Sequence, residues 1–209
     1  MKFLFFVMLL VVKFTAAQVN DSVIAAPAAN KNRILIINTF DAQSNKYRKN
    51  KKELFTELAD SLKSVLAVEI KSEGLSEPLI IPTSLSPIFD SKKELDSLLN
   101  LYNSNCAIVI KKLDAFFEQT NVNITRNDDG SKSREATYDI CADINYSFYK
   151  SGEQPYHSQT KNCEHFTTRN VMSGFLAAGP DIVGNSKHAF KIIAKNADQY
   201  IWEISNRLK

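Results

Sequence analysis

Cysteine is scarce in this chain, three residues in 209, and glycine and proline number only six each. So little cysteine excludes a small scaffold stapled by many disulfides, and so little glycine and proline excludes a fibrous or low-complexity chain. Charge of one sign is also missing. The formal net charge is +3, too small and too dispersed to be the footprint of a nucleic-acid binder. Past Val12 no apolar run approaches the roughly twenty residues that cross a bilayer. Nor does any motif present a set of ligands or catalytic groups, so neither a cofactor nor an enzymatic activity is expected.

What is present begins at the first residue. Met1-Lys2 is a short positive start, Phe3 to Val12 is unbroken apolar sequence, and Thr15-Ala16-Ala17-Gln18 offers small residues after Lys13-Phe14. These are the three parts of a secretory signal, with cleavage expected between Ala17 and Gln18. Lys13 interrupts the apolar run too early for an anchor, so no integral membrane segment is expected after cleavage. The first cysteine is Cys106, far from the position a lipid anchor would modify. The expected location is therefore the periplasm or the exterior. Lys2 and Lys13 leave with the signal, which lowers the formal charge from +3 to +1.

Three parts follow: a signal over 1–17, a polar tether over 18–32, and one α/β domain over 33–209. Arg33 to Phe40 is a continuous apolar run, as expected of a strand buried on both faces. Asn50 and Glu53 have the spacing of a capping box. Beyond them Leu54, Leu58, Leu62 and Val65 share a helical face, while Asp60, Lys63 and Ser64 are expected in water. Val68-Glu69-Ile70 reads as the start of a second strand, and Pro78 to Pro82 as an extended segment. Ser91 and Glu94 repeat the capping pattern before Leu95, Leu98, Leu99 and Tyr102.

A strand starts at Cys106 and runs loosely to Arg126, where Asn127-Asp-Asp-Gly130 marks a turn. In the return strand Tyr138, Ile140, Ala142, Ile144, Tyr146 and Phe148 alternate with Asp139, Cys141, Asp143, Asn145 and Ser147. That period of two means one packed face and one wet face. After a turn around Gly152, Tyr156 to Thr168 reads as a polar edge strand. Val171 to Ala178 reads as a short helix, and Ser186 onward as a long one with Phe190, Ile193, Ala197, Ile201 and Ile204 inward. The expected fold is a mixed, mostly antiparallel sheet of about four to five strands, with helices packed on one face, in the order β-α-(β)-α-β-β-β-α-α.

Several segments carry a resemblance: Arg33-Ile-Leu-Ile-Ile-Asn-Thr-Phe40, Cys106-Ala-Ile-Val-Ile-Lys-Lys-Leu-Asp114, and Gly184-Asn-Ser-Lys-His-Ala-Phe-Lys-Ile192. In this order the chain resembles uncharacterised exported proteins of Bacteroidota-type bacteria. Its architecture is similar to the envelope domains at the start of the TolB translocation protein and in curli-secretion lipoproteins. The resemblance implies an α/β envelope domain and transfers no catalytic residue.

Cys141 and Cys163 are equidistant from Gly152, so a symmetric turn places them opposite each other as a possible disulfide. A register slip of one residue abolishes the pairing. Cys106 is expected in the core. Cys163-Glu164-His165 puts a thiol and an imidazole on one side of a strand, half of a metal site, but two ligands do not make one, so a structural role and no metal are expected. With Asp139 or Asp143 nearby, the same residues raise the alternative of a thiol-based hydrolase or redox protein using Cys141, Cys163 and His165. A carrier of a small apolar ligand is a further alternative. Gly179 to Ser186 misses the phosphate-loop pattern because Asn185 stands where lysine is required. Asn20, Asn123 and Asn145 begin glycosylation triplets that matter only in a eukaryotic secretory route. The leading expectation is a non-enzymatic envelope protein whose sheet or hairpin meets an envelope protein partner.

Overall fold

The structure, a computed structural model, describes residues 33–44, 47–82, 92–172 and 179–208. The expected signal, its expected Ala17–Gln18 junction and the expected tether lie outside these residues. Five strands form one sheet in the order β2-β1-β3-β4-β5, with β1 at Arg33–Asn38, β2 at Glu77–Ile80, β3 at Cys106–Arg126, β4 at Lys132–Lys150 and β5 at Tyr156–Met172. Helix α1 spans Lys49–Ser72, α2 Lys92–Leu101 and α3 Ser186–Leu208. The sheet is mixed, as expected. β1 lies parallel to β2 and β3, which need helical crossovers, while tight turns make β3, β4 and β5 antiparallel.

Alternation along β1 explains the layering. Ile34 and Ile36 join the core formed with α1 and α3, whereas Leu35 and Ile37 pack with Leu95 and Leu99 of α2. The expectation of helices on one face therefore holds for α1 and α3, and α2 covers the opposite face over β1 and the start of β3. A strand apolar on both sides requires such a second cover. Pro78 of β2 is tolerated because that strand is an edge, where a missing N–H costs no ladder bond.

The loose alternation of β3 has a local cause. The pairing register shifts between Ile110 and Lys112, a bulge that changes which parity faces inward. Cys106, Ile108 and Ile110 are in the main core before it, and Leu113 and Ala115 after it. Opposite them Ile140, Ala142, Ile144, Tyr146 and Phe148 of β4 complete the sheet's contribution. On the helix side Leu58, Leu62, Leu66 and Ile70 of α1 meet Ile193, Ala197, Ile201 and Ile204 of α3.

Four local expectations are corrected. Val68-Glu69-Ile70 belongs to α1, because Ile70 continues the four-residue spacing of Leu62 and Leu66 and is fully buried. Asn50 and Glu53 are inside α1 and form no capping box, since the cap is Arg48 in extended geometry without a side-chain bond. Lys63 is buried along its stem and extends its ammonium to Asp60, 2.7 Å away. Val171 and Met172 end β5, so a helix does not begin at Val171, and 173–178 lie outside the described residues.

Candidate functional site

The face of β3–β4–β5 turned away from α1 and α3 carries every site residue expected from the sequence except the cleavage junction. The turn at Gly152, with φ of 83°, is symmetric. Residues equidistant from it therefore meet: Asp139 with His165, Cys141 with Cys163, Asp143 with Lys161, Asn145 with Gln159 and Ser147 with His157. Gly152 is required there because that backbone conformation disfavours a side chain.

Each row uses its pair differently. Cys141 and Cys163 are joined as a disulfide, their Cα atoms 4.1 Å apart. That spacing belongs to a non-hydrogen-bonded pair, in which side chains approach most closely. Asp143 accepts hydrogen bonds from Lys112 Nζ at 2.8 Å and Gln159 Nε2 at 2.7 Å. The carboxylate holds the Lys112 ammonium above its ordinary range. Lys161 passes by its register partner and donates to Glu118 Oε2 at 2.9 Å, with its Nζ 5.6 Å from the Phe116 ring centre. The same Glu118 oxygen lies 3.5 Å from Cys141 Sγ and 4.0 Å from Cys163 Sγ.

This face was expected to be wet, yet Cys141 and Ser147 are fully buried and Asp143 nearly so. The cause is the central position of β4, whose short side chains lie between longer ones from β3 and β5. Lys112 and Gln159 reach in to hydrogen-bond Asp143, and Lys161 reaches across to Glu118, which lies beside Cys141.

The residues of the thiol alternative are only partly assembled. Cys163 and His165 share the open face, but the nearest acid to the imidazole is Asp139, with Nδ1 to Oδ1 at 3.4 Å. Glu164 points to the other face and accepts from Lys191 at 3.0 Å and Lys195 at 3.3 Å. Those two ammonium groups hold its carboxyl below the usual range. Cys106 is buried and free, and burial pushes its thiol up, away from the reactive thiolate.

The sequence reading missed Ser147 and His157, whose Oγ and Nδ1 are 2.7 Å apart. The signal was available, since both are equidistant from Gly152 by the reasoning used for the cysteines. They line a shallow depression of about 400 Å³ with Lys111, Asn145 and Gln159. Ser147 is fully buried, so its hydroxyl is no open nucleophile, and the pair fixes the imidazole instead. A smaller depression of about 130 Å³ lies at the end of β1, against Asn38, Phe40 and Thr56. No helix of the described residues is long and apolar enough to cross a membrane.

No protein-family model matches the chain, and no curated protein matches it. Among solved structures it is similar to a minor lipoprotein from Acinetobacter baumannii at 8% identity and a TM-score of 0.44, covering 85% of this chain and 94% of that one. The rare lipoprotein B from Shewanella oneidensis aligns at 7% identity and a TM-score of 0.32, covering 85% and 90%. A homologue of a neuraminyllactose-binding hemagglutinin from Helicobacter pylori aligns at 7% and 0.40, covering 86% and 87%. At such identities and scores these likenesses carry no residue-level information.

Proposed function

We propose that this chain is an exported, non-enzymatic protein of the bacterial cell envelope that binds another envelope protein along the outer edge of β5. The TolB-like and curli-secretion-like kinship suggested by its segments belongs to the same reading. Its leader supports export, with an apolar run and small-residue junction of the kind a signal peptidase removes.

The observation that carries the binding role is the outer edge itself. β5 is 17 residues long and pairs only with β4 among the described residues. Its outward N–H and C=O groups form a template for one more strand. The close spacing of Cys141 and Cys163 sets the phase: residues 157, 159, 161 and 163 direct their backbone groups outward. Flanking charges such as Lys161 discourage indiscriminate pairing, so a partner must complement them.

The test is photocrosslinking in intact cells from a probe at Lys161 on the edge or at exposed Glu57 on α1. One defined adduct from position 161, absent from 57 and lost in Gln159→Pro, is the expected result. Proline there removes an outward donor and leaves the β4 ladder intact. Equal labelling from both positions, or none from 161, refutes edge binding.

A further inference from the structure

Glu118, Cys141 and Cys163 stand on three adjacent strands and converge on one point of the open face. Their ligand-capable atoms all lie within 4.8 Å of one another. We propose that these residues form a binding site for a thiophilic divalent ion of the zinc class. The site is open when both cysteines are thiols and closed when they are joined. This inference is independent of the edge-binding role.

The geometry supports the donor set. Zinc with sulfur at about 2.3 Å and oxygen at about 2.0–2.2 Å, in tetrahedral array, separates its ligands by roughly 3.4–3.8 Å. The Glu118 oxygen is 3.5 Å and 4.0 Å from the two sulfurs, so side-chain adjustment of a few tenths of an ångström suffices there. Once the sulfur–sulfur bond is broken, rotation about the cysteine side chains moves the sulfurs apart to complete the triangle. Cys141 is buried and forms the floor, whereas Cys163 and Glu118 are exposed and admit an ion from solvent. That exposed side leaves the fourth position to water. A cation already uses the same oxygen: the Lys161 ammonium donates to Glu118 Oε2 at 2.9 Å, and a bound ion displaces it.

The chemistry makes the two states exclusive. Binding releases one proton from each thiol to solvent, and each thiolate donates an electron pair to the ion. Oxidation removes two protons and two electrons from the same thiols, which pass to a disulfide-class oxidant that becomes a dithiol. A dithiol reductant reverses the step and is itself oxidised to a disulfide. Once bonded to each other, the sulfurs are no longer thiolates and the ion loses two of its three protein ligands. A chain that meets metal before oxidant is thereby held in the open state.

Cobalt(II) titration of the purified protein, with and without prior dithiol reduction, tests the proposal. Reduced protein is expected to bind one equivalent with the near-ultraviolet thiolate-to-cobalt absorption, and oxidised protein is expected to show none. Cys163→Ser should abolish the band, and Glu118→Gln, an exposed change that spares the fold, should weaken affinity at least about tenfold. Circular dichroism confirms that each variant is folded. Absence of stoichiometric binding by folded reduced protein overturns the site. Binding by oxidised protein, or unchanged affinity in Glu118→Gln, overturns the proposed donor set.

Discussion

Breaking the Cys141–Cys163 link should cost this protein much of its margin against unfolding. The two residues are 22 apart in sequence. Releasing a loop of that length restores unfolded-state entropy worth about 3 kcal/mol at 25 °C on the chain-entropy relation. With a urea dependence of about 2 kcal/mol per molar, the unfolding midpoint should fall by about 1.5 M on reduction. The assay compares urea unfolding of oxidised protein, reduced protein and Cys163→Ser, all without added metal. The last two should coincide, because Cys163 is at the exposed end of the pair and serine leaves its strand position intact. Thiol counting in denaturant completes the test. Unreduced chain should expose one thiol, Cys106, and reduced chain all three. Three thiols without reduction, or a midpoint that moves by less than about 0.2 M, would refute the reasoning.

Three further outcomes follow from the packing. Leu62 is fully buried between α1 and the sheet, so Leu62→Ala should lose about 2–5 kcal/mol in the same urea assay, and a loss under about 1 would contradict the core assignment. The Tyr200 hydroxyl is buried without a hydrogen-bond partner among the described residues, so Tyr200→Phe should be neutral or stabilising, and a clear loss would show that the hydroxyl is bonded. Lys191 and Lys195 lower the Glu164 pKa on folding, so this carboxylate stabilises the fold above its unfolded pKa, and that contribution fades as pH falls through the folded value. Lys191→Met should raise the Glu164 midpoint in an NMR titration, whereas an unmoved midpoint would remove the ion pair from the account.

The β4–β5 ladder was legible because a short turn centred on glycine converts sequence distance into register. One relation accounts for Cys141 with Cys163 and equally for Ser147 with His157. The helices were legible wherever apolar residues recurred every three or four positions, as in α3. Failures occurred where a short segment satisfied two patterns. Val68-Glu69-Ile70 alternates like a strand, but Ile70 belongs to the helical series before it. Asn50 and Glu53 have capping spacing, yet the helix starts earlier and absorbs them. The position of α2 was hidden because an apolar strand such as β1 needs cover on both faces without specifying which helix supplies it. Glu118 was missed because its approach to the cysteines depends on side-chain direction across β3, which follows a bulge that sequence did not mark.

Intact mass analysis of the chain recovered from the envelope fraction of expressing cells, after thiol alkylation, tests the account most directly. The predicted species, alkylated in denaturant because Cys106 is buried, begins at Gln18, carries one alkyl group at Cys106, and is two hydrogens lighter than the same singly alkylated chain with Cys141 and Cys163 as thiols. A chain that still begins at Met1, is found with cytosolic proteins and is alkylated at every cysteine would contradict export and the pairing together.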